Sequence, residues 1–209
     1  MLLNCAIKLG TLLLSLAFVT YASAAQSRCQ LPEFQVEDFE RWRLSRTYEY
    51  DDPSLGVDKR FDSRMATANL YVYDLGLSQI SSEDVRAQLD QAVGDALRHY
   101  HNKTEDNLLI GEPNWMPDAV LDEFRDWLEL GVFFNVETKQ GRLLQMSMVG
   151  LGELNGCFHK IRFSITFPKD LNEDSLKYSF YQIGMIEFYQ LVNIIDGSLN
   201  GKVGVIPQR

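Results

Sequence analysis

The chain has 209 residues, of which 29 are acidic and 20 are basic, so its formal net charge is −9 at pH 7. No dense stretch of Lys and Arg offsets this acidity. The composition therefore argues against nucleic acid and anionic membrane surfaces as partners, since both are bound through basic patches. The length suits one domain that buries its own core without a structural metal.

The first 24 residues have the pattern of an export signal. Lys8 precedes an almost wholly apolar run of about 11 residues, too short for a membrane-spanning helix, and Ala22-Ser23-Ala24 supplies the small residues of a cleavage site. The sequence therefore predicts a signal peptide over residues 1–24, a single domain over 25–196 and a flexible tail over 197–209. The mature protein is expected to be periplasmic or secreted and not membrane-spanning, with 19 basic and 29 acidic residues.

The cysteines leave one pair in the predicted mature chain, because Cys5 lies in the signal peptide. In an oxidising compartment Cys29 and Cys157 can form a disulfide, which would stabilise the fold by at most about 5 kcal/mol. A free catalytic Cys157 is the alternative, because His159 follows two residues later on the same face of a strand. The pattern supplies no residue to orient that histidine as a base, so the disulfide is favoured.

The N-terminal half of the predicted domain contains two strands and one helix. Apolar residues alternate over residues 42–50, and residues 66–75 have two apolar faces, as a central strand covered on both sides does. The polar stretch between them is assigned no element. Ser81 is placed to cap a helix over residues 82–103, with Asp84 at its third position and apolar residues at helical spacing.

The C-terminal half is predicted to contain an antiparallel meander and a closing helix. The meander has three strands joined by Gly-containing turns, at residues 132–138, 141–151 and 157–167. A shorter strand is a candidate at residues 108–112. Asn172 is placed to cap a helix from Glu173 to about Asp196, whose wide apolar surface implies deep burial. The whole pattern predicts an α+β fold: an antiparallel sheet of five or more strands flanked by two main helices.

Two segments carry a resemblance to a known family. One is the phrase Leu70-Tyr71-Val72-Tyr73-Asp74-Leu75-Gly76 before the first helix, and the other is the strand pair joined around Gly150 to Gly156 and ending at Phe163 to Pro168. They resemble an uncharacterised family of exported proteobacterial proteins, whose layout is similar to the PsbP-like fold, over most of residues 40–196. The resemblance implies a binding or assembly module and brings no catalytic residues with it.

Neither the histidines nor the acidic clusters predict a metal site. His99 and His101 are two residues apart on the predicted helix and point about 200° from each other, so they cannot chelate one ion, and both belong in its last turn. Acidic clusters at residues 37–40, 51–52 and 170–174 lack the spacing of an EF-hand loop and are interpreted as surface or helix-terminal charge. No cofactor is predicted.

The sequence contains no hydrolase elbow, nucleotide-binding glycine loop or zinc-protease helix motif. Most aromatic residues are assigned to the core, and Trp115, in a Pro-flanked loop, is the candidate binding surface. The sequence therefore predicts a non-catalytic exported binding or accessory module for an unknown protein partner or small ligand. The alternative is a small exported hydrolase that uses carboxylates or His159 in a cleft.

Overall fold

The computed structural model describes residues 28–31, 41–103, 108–139, 141, 143–167 and 176–199. The strands are β1 (Arg43–Glu49), β2 (Val57–Asp62), β3 (Ala66–Tyr73), β4 (Leu108–Ile110), β5 (Asn114–Trp115), β6 (Leu130–Thr138), β7 (Leu143–Leu154) and β8 (Cys157–Thr166). The α-helices are α1 (Ser82–Lys103), α2 (Asp118–Leu121) and α3 (Leu176–Leu199), with 3-10 turns at Pro53–Leu55 and Asp122–Phe124.

All eight strands belong to one antiparallel sheet, in the order β1-β2-β3-β8-β7-β6-β4, with β5 also paired to β6. The predicted α+β fold and the predicted sheet of at least five strands are confirmed. The likeness to the PsbP-like layout stays a prediction.

The sheet has an apolar layer on each face, because successive side chains of a strand point to opposite sides. On one face, here called the α3 face, the rings of Trp42 and Phe188 pack against Phe163 with centroids 5.9 and 5.6 Å away. On the other, the α1 face, α1 packs over β6 and β7, and Leu89 shares a buried cluster with Phe134. The two predicted main helices thus lie on opposite faces of the sheet.

The start of α1 is the predicted capped terminus. The Ser81 amide donates to Asp84 Oδ2 at 2.9 Å, and the Asp84 amide donates to Ser81 Oγ at 3.2 Å. This reciprocal pair satisfies two amide donors that have no carbonyl partner within the helix. The helix then buries Val85, Leu89 and Ala92 along one face, as its apolar spacing predicts.

Strand β2 is the element that the sequence pattern missed. Its residues include Asp58, Lys59 and Arg60, which interrupt the apolar alternation of an ordinary half-buried strand. The strand is held between β1 and β3, and its apolar Phe61 is buried on the α3 face. Neighbouring strands therefore supply the backbone partners and the burial that the polar sequence conceals.

The turn between β7 and β8 is shorter than predicted. Asn155 and Gly156 alone connect the strands, with φ of 55° and 77°, as the tight two-residue turns of hairpins require. Gly150 and Gly152 therefore lie inside β7 and not in the turn that follows it. A Cβ atom at Gly152 would lie 2.3 Å from the carbonyl oxygen of Trp127, so glycine permits the α2–β6 connection to pack directly on the sheet.

Helix α3 continues past Asp196, where the pattern ended it, into the first residues of the predicted tail. Gly197 is buried, and Ser198 Oγ donates to the Ile194 carbonyl at 3.0 Å, so the helical turn continues through this glycine. Four predictions lie outside the described residues: the signal peptide, the acidic clusters at 37–40 and 170–174, the start of the closing helix at Glu173, and residues 200–209.

Candidate functional site

The predicted disulfide is present: Cys29 and Cys157 are bonded, with Cα atoms 5.7 Å apart. Next to it, Arg28 Nε donates to Asp74 Oδ2 at 2.7 Å, and its Nη2 donates to the Gly156 carbonyl at 3.1 Å. These bonds attach residues 28–31 to the start of β8 and to the segment after β3. The bonded Cys157 is not available as a nucleophile.

His159 is buried on the α3 face, where only 4 % of it is exposed. Its Nδ1 lies 3.2 Å from the Cys157 carbonyl oxygen, and its ring lies 6.5 Å from that of Trp127. Burial disfavours the charged imidazolium and lowers the pKa of His159 to about 4. The sheet separates this residue from α1, which carries His99 and His101. Among the described residues, no group of three His, Cys, Asp or Glu side chains is arranged to hold a metal ion.

Trp115 lies on β5 and is 50 % exposed, with the Arg86 guanidinium 4.4 Å above its ring. This geometry agrees with its assignment as surface, and its role in binding stays a prediction. Of the aromatic residues assigned to the core, Trp127 and Phe134 are fully buried. Tyr71 is partly exposed. Its exposure leads to a surface that the sequence pattern did not identify.

Helix α1 covers only half of its face of the sheet. It packs over β6 and β7, whereas the same face of β1, β2, β3 and β8 carries mainly polar side chains. Strand pairing aligns these side chains in three rows across the four strands: Tyr48, Asp58, Tyr71 and Lys160; Arg46, Arg60, Asn69 and Arg162; Arg43, Asp62, Thr67 and Ser164. We call these twelve residues the open sheet face.

The open sheet face leaves polar side chains of the interior strands β3 and β8 accessible to solvent, as antiparallel sheets commonly do on one face. Tyr71, Asn69, Lys160 and Arg162 are all partly exposed, and Tyr48, on the edge strand, is 50 % exposed. The sequence pattern predicted cover on both faces of β3: on the α1 face Tyr73 is buried, whereas Thr67, Asn69 and Tyr71 are partly exposed. Within the described part of the chain, no helix covers the three rows.

Asp58 is the structural centre of this surface and is only 2 % exposed. Its Oδ2 accepts a hydrogen bond from Arg46 Nη2 at 2.7 Å, and its Oδ1 accepts one from Asn69 Nδ2 at 2.9 Å. A buried carboxylate needs such partners, because desolvation would otherwise be costly. Burial, and then the negative charge of Asp58, raises the pKa of Tyr71. Asp58, on β2, thus orients residues on both neighbouring strands, β1 and β3.

Lys160 and Arg162 provide adjacent positive charges on β8. Lys160 Nζ lies 4.6 Å from the ring centroid of Tyr71 and 5.1 Å from that of Tyr73. Burial, together with repulsion from Arg162, lowers the pKa of Lys160 to about 8, although Asp95 and Asp58 oppose the shift. Neither cation forms an ion pair with a carboxylate of the described residues.

The open sheet face has a local charge opposite to that of the whole chain. It contains five cations and two acids, a surplus of three positive charges in a chain of net charge −9. Arg46 is paired with Asp58, and Arg60 Nε lies 3.0 Å from Asp62 Oδ1. The positive surplus therefore includes Lys160 and Arg162, near the middle of the sheet, which have no ion pair with a carboxylate in the described part of the chain.

A polar network joins this surface to the end of α1. Tyr100 Oη and Ser147 Oγ are 2.7 Å apart, and Ser147 Oγ and Ser164 Oγ are 3.0 Å apart. Gln145 Nε2 also donates to the Tyr100 hydroxyl. Because these bonds connect α1, β7 and β8, the helix is held at the margin of the open sheet face.

Comparison with protein-family models, with curated proteins and with solved structures finds no match to this chain. Among the described helices, none combines the length and the apolar character needed to cross a bilayer. The site is therefore defined by geometry and charge alone.

Proposed function

We propose that the protein is an exported, non-catalytic binding module and that the open sheet face binds a small ligand. The observation that carries the proposal is the partly exposed surface over the interior strands β3 and β8, where Lys160 and Arg162 lie beside Tyr71 and form no ion pair with a described carboxylate. A solvated face is common in antiparallel sheets, so the proposal depends on the chemistry of this face and not on its exposure alone. Cationic side chains beside an accessible aromatic ring can bind a ligand through charge-assisted hydrogen bonds and ring stacking.

Three features favour binding over catalysis. Cys157 is bonded to Cys29, His159 is buried on the opposite face of the sheet, and both carboxylate oxygens of Asp58 already accept hydrogen bonds. A catalytic nucleophile or base needs an exposed atom within reach of the substrate. The hydrolase alternative, with His159 or a carboxylate acting in a cleft, therefore receives no support from the open sheet face.

Export is part of the proposal and is supported by the disulfide. Disulfides form and persist in oxidising compartments such as the periplasm or the extracellular space. The Cys29–Cys157 bond fixes the described N-terminal segment close to β8, as expected for a protein that folds after export. The PsbP-like resemblance, which implies a binding or assembly role, points in the same direction.

The test is a ligand screen read by nuclear magnetic resonance. The full-length chain is expressed with export, and the isotopically labelled product is mixed with a set of small neutral, cationic and anionic compounds. We expect the amide signals that shift on binding to cluster on β1, β2, β3 and β8. An Arg125→Gln variant is the control, since Arg125 is an exposed arginine paired with Asp122 away from this surface. Binding that maps to other elements, or no binding at all, would contradict the proposal.

A further inference from the structure

We propose that Lys160 and Arg162 form an oxyanion site and that the ligand of the open sheet face is a short acidic oligosaccharide. The inference rests on the proposed binding function and adds the chemical class of the ligand. It predicts an anionic group over β8 and sugar rings extending across the strands towards Tyr48 on β1.

The first argument is the environment of the two cations. Lys160 and Arg162 are two residues apart on one strand, so their side chains leave the same face of the sheet about 7 Å apart. Both are half-buried, and neither forms an ion pair with a described carboxylate. A bound anion would compensate the desolvation of these charges, and the planar guanidinium of Arg162 can bind a carboxylate, phosphate or sulfate through two parallel hydrogen bonds.

The second argument is the composition of the surface between β8 and β1. Asp58 holds Arg46 and Asn69 in place through hydrogen bonds of 2.7 and 2.9 Å. The other guanidinium N–H groups of Arg46 can donate to hydroxyl groups of a ligand, and Asn69 Oδ1 can accept from them. Fixed polar groups of this kind lose little side-chain entropy on binding, which favours a hydroxyl-rich ligand.

The third argument is length. Strands β8, β3, β2 and β1 are successive neighbours, so three inter-strand spacings separate Lys160 from Tyr48, a distance of about 14 Å. Tyr48 is half-exposed and packs edge-on against Tyr50, with ring centroids 4.9 Å apart, so aromatic surface is accessible at this end. An inorganic anion or one sugar is too short to reach both ends, whereas a short oligosaccharide spans them and can stack a ring on Tyr48.

Charged groups around Lys160 determine how binding varies with pH. These groups are Arg162 on β8, Tyr71 and Tyr73 on β3, Asp58 on β2 and Asp95 on α1. Burial raises the pKa of both tyrosines, so their titration lies above that of Lys160. Lys160 itself has a pKa of about 8, so the oxyanion site loses a positive charge as the pH rises through that value.

The experiment is a calorimetric titration of the exported protein with trigalacturonic acid. The control ligands are its methyl ester, which has the same rings without charge, and galacturonic acid and inorganic phosphate, which carry charge without length. We expect trigalacturonic acid to bind at least tenfold more tightly than each control. Equal affinity for the trimer and its ester would overturn the oxyanion site, and equal affinity for trimer and monomer would overturn the extended ligand.

Single substitutions test which residues of the open sheet face bind the trimer. Lys160→Met and Arg162→Gln are each expected to weaken trimer binding at least tenfold, whereas Arg125→Gln leaves it unchanged. Tyr48→Ala is expected to weaken binding of the trimer but not of the monomer. Lys160→Arg retains the charge at high pH, so it should bind at pH 7 and lose the decline in affinity above pH 8. It also provides the test if Lys160→Met does not fold.

The outcomes separate this inference from the proposed function. If the trimer does not bind while another compound in the resonance screen shifts β1, β2, β3 and β8, the open sheet face is a binding site and the acidic oligosaccharide is the wrong ligand class. The oxyanion site would be overturned if two folded variants bound the trimer with the affinity of the parent protein: Lys160→Arg above pH 8 and Arg162→Gln at pH 7. A failure of every ligand in both experiments would overturn the proposed function as well.

Discussion

Acidification is expected to destabilise the protein through His159. Burial lowers the pKa of this side chain from 6.5 to about 4, so the unfolded chain takes up a proton at a higher pH than the folded protein does. Above the unfolded pKa both states carry a neutral imidazole, so the contribution of His159 to the free energy of unfolding does not change with pH. As the pH falls from 6.5 to about 4 the unfolded state gains protons first, and stability is lost until the folded state is protonated too.

The magnitude follows from the size of the shift. At about 1.4 kcal/mol for each pKa unit, the difference between the two states corresponds to about 3 kcal/mol of lost stability. Such a loss is a large fraction of the free energy of unfolding of an ordinary domain, which is about 5–15 kcal/mol. The effect of His159 should therefore be measurable against the background of other titrating groups.

The assay is urea unfolding between pH 4 and pH 7.5 without reductant. His159→Gln is the test variant, because glutamine stays neutral at every pH and retains a polar group near the Cys157 carbonyl. We expect the parent protein to lose about 3 kcal/mol more than this variant over the interval. Asn193→Ala, an exposed substitution on α3 that removes no titratable group, should show the pH dependence of the parent. Parallel curves for the parent and His159→Gln would refute the reasoning.

Three further predictions concern stability and use the same unfolding assay at pH 7. Replacing Cys29 and Cys157 together by serine should lower the free energy of unfolding by 2–5 kcal/mol, because the unfolded chain loses a long-range constraint; a loss below about 1 kcal/mol would contradict this. Phe163→Ala should cost about 3–5 kcal/mol, because Phe163 is fully buried between two aromatic rings, whereas the exposed Trp115→Ala should stay within about 0.5 kcal/mol. Ser81→Ala should cost about 1 kcal/mol, because the Asp84 amide loses its hydrogen-bond acceptor; no change would show that the cap is dispensable.

Features that depend on neighbouring residues were predictable from the sequence. The capped start of α1 requires only Ser81 and Asp84, and the helix follows from apolar residues spaced three and four apart. The three-strand meander follows from alternation and Gly-containing turns, although its last turn is shorter than expected. The disulfide followed from counting, since the predicted export signal leaves only Cys29 and Cys157.

Features that depend on residues distant in the chain were decided by the tertiary structure. Strand β2 is recognisable only once β1 and β3 lie on either side of it, because Asp58, Lys59 and Arg60 hide its alternation. The glycines inside β7 are explained only by their tertiary neighbours: the backbone of Trp127 packs against Gly152, and the side chain of Leu128 packs against Gly150. In both cases the decisive contact joins segments that are distant in sequence, so no local sequence pattern predicts it.

The open sheet face is the clearest example of this division. Lys160 and Arg162 lie on the face of β8 opposite its buried Ile161 and Phe163, which is consistent with the alternation of the strand. That alternation did not indicate that β3 and β2 would place Tyr71 and Asp58 beside them, or that α1 would cover β6 and β7 and leave this half exposed. Strand order and helix placement are set by the packing of the whole core, so the sequence determined the chemistry of each strand and the tertiary structure assembled those strands into a site.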